Sequence, residues 1–342
     1  MVIAELTAPR QFRLVEQDLE SLAAGMVRVR VGAVGICGSD LHSYSEGAVG
    51  DSPSVYPMVL GHEPAGTVVA VGPGVTGWSE GDRAALEPAL YCYHCEQCRS
   101  GRYNICENIR FLSTPGYPGF FREYVDLPPS NLLGIPKSMP LRLASLVEPL
   151  AVALHSMRFA NIGIGETAAV FGAGPIGVLT VACLRAAGAS RILVVEPVAH
   201  RRELAKRMGA AEAIDPGQTD AARQIIADTG GRGVDCAIDC AARAHTTNWA
   251  IRAARNGGRV VLTGIHSGTM IPFEVSPMRR KELAIYNIRR SNCEPEAALG
   301  LLTARMEWFE PLVTHTRPLD RISEAFEIAE AYADGVGKFV IE

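Results

Sequence analysis

The chain has no apolar run of the roughly 18 residues that would span a bilayer. It also lacks a basic excess: 33 Lys and Arg stand against 37 Asp and Glu, a formal charge of -4. That balance argues against a nucleic-acid surface. The first twenty residues, MVIAELTAPRQFRLVEQDLE, are broken by Glu5, Arg10, Arg13, Glu16 and Asp18. Those charges interrupt any signal-peptide core, so a cytoplasmic protein without membrane or nucleic-acid partners is expected. No internal repeat or low-complexity tract is evident, and Trp78, Trp249 and Trp308 are too dispersed to form a box. What is present is ordinary for a globular chain: 48% hydrophobic and 20% charged residues. A length of 342 residues is too great for one core and implies two domains.

The nine cysteines do not read as a disulfide framework. The total is odd, and Cys92, Cys95, Cys98 and Cys106 crowd into one stretch of CxxCxxC spacing with a fourth cysteine beyond. Four thiolates match the closed tetrahedral coordination of structural zinc, and a lobe over about 88–110 with so little apolar content needs such a clip. An iron–sulfur cluster takes the same four ligands and is the chemical rival. His94 lies within the lobe and is expected to be exposed. Cys183, Cys236 and Cys240 fall in apolar elements and are expected to pack. The histidines His155, His200, His245, His266 and His315 suggest no role and are expected mostly on helix surfaces or loops.

The first part of the chain reads as β-rich. Val27, Val29 and Val31 alternate with Arg28 and Arg30, and residues 66–71, GTVVAV, form a second strand. From Ala168 the pattern changes to short apolar strands separated by helical stretches: AAVF, PIGVLTVACLRAAGA, RILVVE and AHRRELAKRMGA. VDCAID at 234–239 and RVVLTG at 259–264 continue it, with a helix at about 245–255 between them. Such alternation predicts a doubly wound parallel sheet. Gly188 and Gly209 stand where helix C-caps belong. The closing KFVI reads as one strand returning to the first domain, since a lone strand makes no third core.

Phe171 ends a strand and is followed by Gly172-Ala173-Gly174-Pro175-Ile176-Gly177 opening a helix. Gly172 permits the turn, Gly174 lets backbone approach a pyrophosphate, and Gly177 allows close helix–strand packing. The helix N-terminus offers free N–H groups to the phosphates. The next strand ends on Glu196, which can accept from a ribose hydroxyl and would repel a 2′-phosphate. NAD is therefore expected over NADP, although Arg201 and Arg202 lie nearby.

Three separated segments carry candidate ligands: Cys37 with Ser39, Asp40 and His42; His62-Glu63; and Glu148-Pro149. Cysteine, histidine and glutamate together suit zinc, and a catalytic site leaves one position open. Singly, each has a plainer reading: a packed thiol, a hydrogen-bonded core histidine, a helix-capping carboxylate.

GICGSDLH, GHEPAGTVVAVG, CYHCEQC with its fourth cysteine, VEPLAVALHS, GAGPIG and the PLVTH segment at 311–315 resemble the zinc-dependent medium-chain alcohol dehydrogenases. The likeness is greatest to the sorbitol (polyol) dehydrogenase branch and runs nearly end to end. It implies a GroES-like β-rich catalytic domain over 1–150 and 290–342, and a Rossmann domain over 151–289. It places Cys37, His62 and Glu63 on the catalytic zinc. Glu148 falls where other members place a second cysteine and the polyol enzymes a glutamate. Whether Glu63 or Glu148 meets the metal directly or through water stays open. Asp40 matches the carboxylate that orients the zinc histidine, and Ser39 and His42 match a proton relay. Ile176, Glu196, Arg201, Thr263, Gly264, Ile265 and Arg289 match cofactor contacts. The resemblance further implies two zinc ions per chain, NAD, an alcohol or sugar substrate, and a homo-oligomer, tetramer or dimer.

The chain departs from the polyol pattern twice. Ser43 follows the relay histidine where the polyol enzymes carry a tyrosine, with Tyr44 one place later. Arg290 replaces a second tyrosine after Arg289. Both positions are expected to face substrate, and an Arg289–Arg290 pair can grip a carboxylate or phosphate. The expected reaction is oxidation of a secondary hydroxyl on a small polyol or sugar derivative, including an acidic sugar. A threonine-type or simple alcohol dehydrogenase is the alternative within the family. A zinc-free quinone reductase would lack the cysteine lobe and the Cys37/His62 pair, and a non-catalytic NAD-binding sensor would not need the full set. A zinc-ribbon nucleic-acid module conflicts with the charge and with a single lobe inside an α/β chain.

Overall fold

The computed structural model describes residues 1–342 and divides into two compact units, Met1–Glu148 with Asn292–Glu342, and Pro149–Ser291. No helix is long and apolar enough to cross a membrane.

The first unit is built on Val27–Gly35. This strand pairs antiparallel with Glu63–Val71, with Tyr124–Leu127 and with Lys338–Ile341. Its alternation has the predicted cause: Val27 and Val29 are fully buried while Arg30 is exposed. Around it the seven-stranded sheet runs Leu132–Gly134, Arg83–Leu86, Glu63–Val71, Val27–Gly35, Lys338–Ile341, Val313–Arg317. Phe120, Phe121, Phe326 and Phe339 fill the core beside it. Tyr44 is 1% exposed and packs with Phe12 and Phe326, so its ring belongs to that core. The C-terminal KFVI completes this sheet by registering Val340 against Gly35.

The second unit is a six-stranded parallel sheet ordered Glu212–Ile214, Arg191–Val195, Thr167–Phe171, Val234–Asp239, Ala254–Leu262, Ala284–Asn287. In chain order that is 3-2-1-4-5-6, the doubly wound arrangement whose strand order reverses between Thr167–Phe171 and Val234–Asp239. Ligands of such sheets bind beyond the carboxyl ends of the strands at that reversal. Gly209, with φ 127°, terminates the helix Ala199–Met208, and Gly188, with φ 88°, follows Pro175–Ala186.

Asp235 clamps the opposite end of this sheet. It is 4% exposed and accepts from the amide and hydroxyl of Thr167, from both terminal nitrogens of Arg232, and from Arg255. The Arg232 bonds overcome burial and, with Thr167 and Arg255, hold its carboxyl far below the ordinary range. A depressed folded-state value contributes stability above the unfolded value of about 3.9 and loses it as pH falls further. Asp235→Asn is therefore expected to cost roughly 2–4 kcal/mol at pH 7, with the gap to the parent narrowing below about pH 4. Denaturant titrations at pH 7 and pH 3.5 check this.

Candidate functional site

The strands of the first unit converge on one cluster. Register sets Gly35 opposite Glu63, and Cys37 follows two residues later as the N-cap of the helix Gly38–Ser45. Gly61 has φ 90°, a backbone conformation that needs glycine, and turns His62 and Glu63 into the same space. One ligand atom each from Cys37, His62 and Glu63 lies within 4.8 Å of the others.

The polar atoms there fit an ion. His62 Nδ1 and both Glu63 carboxylate oxygens are buried without a hydrogen bond of acceptable geometry. Asp40 Oδ1 stands 3.3 Å from His62 Nδ1, and Lys338 Nζ is ion-paired to Glu63 Oε2, which leaves Oε1 with no partner of either kind. Buried orphaned donors and acceptors are costly. A divalent cation bound by thiolate, imidazole and carboxylate would remove that cost at the Glu63 oxygens, with His62 Nδ1 left facing Asp40, and the donor set is one zinc accepts.

Asp40, 1% exposed, organises the surroundings. It accepts from the Cys37 amide at 3.0 Å, the Gly61 amide at 3.2 Å and the Ser113 hydroxyl at 3.3 Å. Burial pushes its carboxyl up, but the charge and hydrogen bonding of His62, with the Cys37 and Gly61 amides, bring it below its ordinary value. Burial alone would push His62 down; Asp40 and Cys37 instead hold it well above its usual value. A metal bound there would compete with a proton for the imidazole, so its affinity would fall on acidification.

Lys338 is the residue the sequence did not reveal. It is 1% exposed, donates to Ile36 O at 2.8 Å and pairs with Glu63. Gly35 makes room for the pair: a Cβ there would lie 2.1 Å from Glu63 Oε2 and 2.7 Å from Lys338 Cε.

The remaining candidates take different places. Glu148 opens the helix Val147–Ala160, is half-buried and is not one of the three clustered ligands. Burial pushes its carboxyl up to about 8; His62 opposes that, Glu63 and Glu87 reinforce it, and Lys338 opposes it. Ser39 Oγ lies 3.4 Å from His62 Nε2, and His42 Nδ1 lies 3.0 Å from Glu46 Oε1 one turn on. Ser43 is 5% exposed, and its backbone carbonyl accepts from Tyr56. Arg290 has φ 55°, a left-handed conformation unusual for a long side chain, and Arg289 beside it is exposed.

The four lobe cysteines form a second cluster. Sulfur separations are 3.9 Å for Cys92–Cys98, 4.0 Å for Cys95–Cys106 and 3.5 Å for Cys92–Cys106. A tetrahedron with metal–sulfur bonds of ~2.3 Å has edges of about 3.8 Å. The spacing suits a single ion and leaves no room for a multi-iron cluster. Amides of His94 and Cys95 and the Asn108 side chain draw the Cys92 thiol down to about 5. His94 is exposed, while Tyr91, Tyr93 and Tyr103 surround the lobe. Asn292 fastens it by accepting from the Tyr103 amide and donating to Gly101 O, both at 2.7 Å.

In the second unit the glycines of the 172–177 turn are required for different reasons. A Cβ on Gly172 would meet Ala241 at 2.8 Å, and one on Gly177 would meet Gly172 O at 1.9 Å. A Cβ on Gly174 would meet no protein atom closer than Arg201 Nη1 at 3.9 Å. Glycine there leaves open the approach that a dinucleotide pyrophosphate uses. Pro175 and Ile176 begin the helix Pro175–Ala186. Glu196, 4% exposed, accepts from the Ala173 amide at 2.7 Å and the Val198 amide at 2.9 Å. Arg202 is committed to Asp215 and to the carbonyls of Glu196 and Pro197. Thr263 is bonded to Ser156, and Gly264 and Ile265 follow it. Among the histidines left without a role, His155 is buried against Phe159 and does not lie on the surface expected.

Residues 23–137 match the family described as alcohol dehydrogenase GroES-like domain, and residues 175–304 match zinc-binding dehydrogenase. Sorbitol dehydrogenase of Bacillus subtilis is 35% identical over 330 residues, covering 96% of this chain and 93% of that one. L-threonine 3-dehydrogenase of Pyrococcus horikoshii is 34% identical over 332 residues, 96% and 95% of the two chains. The structure of L-idonate 5-dehydrogenase from Escherichia coli superposes with a TM-score of 0.92 at 27% identity, over 99% of this chain and 97% of that one.

Proposed function

The chain belongs to the zinc-dependent medium-chain alcohol dehydrogenases, in their sorbitol dehydrogenase-like branch, and we propose that it oxidises a secondary hydroxyl of a small polyol or sugar derivative with NAD+. The observation that carries this reading is the grouping of Cys37, His62 and Glu63 around orphaned buried atoms. A zinc ion held there would acidify the substrate hydroxyl. The nicotinamide supplies the redox chemistry. The chain's own residues manage orientation and the proton. Asp40 faces His62 Nδ1, so Nε2, beside Ser39, is the nitrogen that would hold a zinc ion. As the resemblance implies, Ser39 Oγ would accept the released proton while giving up its own, and the nicotinamide ribose and His42 would carry that proton to solvent. Glu46 accepts from His42 Nδ1, so the other ring nitrogen is the one that receives. As the resemblance implies, Glu148 would serve a bound zinc either directly or through a water. A second zinc in the cysteine lobe brings the count to two per chain.

NAD is favoured over NADP because Glu196 retains a lone pair on each oxygen for a ribose hydroxyl, while Arg202 is already committed. Glu196→Ser is expected to move the NAD/NADP ratio of kcat/KM at least about 30-fold toward NADP, the effect of removing a few kcal/mol of repulsion. Unchanged cofactor preference would remove Glu196 from that role. We place the protein in the cytoplasm, where reducing conditions keep its thiolates available to metal, and as a homo-oligomer, tetramer or dimer, by analogy with the family.

For the substrate we favour an acidic sugar, gripped through Arg290 and Arg289, over plain sorbitol. Support comes from Arg290 in place of the polyol enzymes' tyrosine and from its left-handed backbone, a conformation that collects at functional sites. A panel of sorbitol, xylitol, an aldonate and threonine tests it. Aldonate should lead, and Arg290→Ala should cut its kcat/KM by about 10–100-fold while sparing sorbitol. Equal loss on all substrates, or none, contradicts the carboxylate grip. Threonine turnover without polyol turnover would decide for the threonine-type reading that the 34% identity keeps in play.

A further inference from the structure

We propose that Asp239 is a positioning residue for the nicotinamide cofactor, because its buried carboxylate sets the middle one of three interlocked turns at the end of the parallel sheet. Asp239 closes the strand Val234–Asp239 beside Phe171, at the reversal of strand order, and is 1% exposed. Its Oδ1 accepts from the amides of Ala241 at 3.1 Å and Ala242 at 3.0 Å and from the Thr246 hydroxyl at 3.0 Å. Its Oδ2 accepts from the Thr247 hydroxyl at 2.6 Å and lies 3.1 Å from the same Thr246 oxygen. Its backbone carbonyl accepts from the amides of Thr263 and Gly264. One residue thus binds the turn at 240–242 through its side chain and the turn at 263–264 through its main chain.

The turns have no slack between them. A Cβ on Gly172 would lie 2.8 Å from Ala241 Cβ, and a Cβ on Gly264 would lie 2.7 Å from Ala242 Cβ. The Ala241-Ala242 pair is therefore wedged between the glycine turn of the pyrophosphate site and the turn that carries Thr263, Gly264 and Ile265. Ala242 adopts φ 51°, a left-handed conformation that alanine resists and that the carboxylate stabilises by accepting its amide. A shift of a few tenths of an ångström in this pair would press on both neighbours. Thr247 extends the link, since its hydroxyl also lies 3.3 Å from His266 Nε2 in the loop after Gly264. No zinc ligand takes part, so the carboxylate acts on cofactor geometry through the backbone.

This inference rests on the parallel sheet being the cofactor unit, and the experiment separates the two. NADH binding is followed by fluorescence titration of the zinc-loaded protein and of Thr247→Val, Thr247→Ser and Asp239→Asn. Thr247→Val removes the 2.6 Å bond and the His266 contact with almost no change in volume. It should raise the NADH Kd about 10-fold and the KM for cofactor in parallel, with kcat and zinc content within about 2-fold of the parent. Thr247→Ser, which keeps the hydroxyl, should restore binding. Asp239→Asn should weaken binding more than Thr247→Val. Variants that melt lower yet bind NADH with the parental Kd would reduce Asp239 to a fold-stabilising group and overturn the proposal. A parent that binds neither NADH nor NADPH would overturn the cofactor reading itself.

Discussion

Cys37→Ser should leave one of two metal ions per chain and lower kcat/KM by at least about 10³-fold, with the protein still folded and still binding NADH. The magnitude follows from the several kcal/mol of charge stabilisation that a bound metal gives a reacting oxygen. The selectivity follows from placement. Cys37 caps a short helix, is half-exposed and supports no core packing, so its loss removes a ligand and little else. Serine is a poor substitute because a neutral hydroxyl does not compete with thiolate for zinc. Metal analysis and steady-state kinetics on the same preparation check the expectation together. Exhaustive chelation of the unaltered protein should reproduce the loss of turnover, and added zinc should restore it.

Cys106→Ser should do nearly the reverse. The residues around Cys92, Cys95, Cys98 and Cys106 bury little besides the sulfurs and the tyrosine rings, so a bound ion would be the main force ordering them. Structural zinc in small motifs contributes about 10–16 kcal/mol of binding free energy. Losing one of four thiolates should therefore release the lobe, open it to protease between residues 91 and 108, and lower the melting temperature by about 10 °C. The catalytic ion should remain. Residual activity should exceed that of Cys37→Ser by at least about 10-fold, because the lobe holds shape and not the reacting atoms. A folded, protease-resistant Cys106→Ser protein would show that the lobe needs no metal.

Legibility in the sequence followed the range of the forces involved. Val27–Gly35 was readable because its alternation is local, and Val234–Asp239 because it takes its place in the regular alternation of short strands and helical stretches. The turn at 172–177 was readable because close contacts require glycine at 172 and 177 and pyrophosphate approach favours it at 174, at fixed offsets in the chain. Glu212–Ile214 and Ala284–Asn287 were not, since three- and four-residue edge strands carry almost no periodicity. The candidate ligands were legible as residue types in three separated segments, but the convergence of Cys37, His62 and Glu63 on one point was implied by resemblance and not by spacing. Lys338 was invisible for a physical reason: a lysine in a terminal strand ordinarily reaches solvent, and only the strand pairing with Gly35 shows that it meets Glu63 instead. Asp239 was read as the end of a strand because the donors that define it come from residues two to eight places later, after the chain has turned.

Anomalous diffraction at the zinc absorption edge, from crystals of active protein, tests the account where it is most exposed. Two peaks per chain are predicted, one amid the four lobe sulfurs and one about 2.3 Å from Cys37 Sγ and about 2.1 Å from a nitrogen of His62, with a carboxylate oxygen within similar reach. An active crystal with no metal between Cys37, His62 and Glu63 would contradict it.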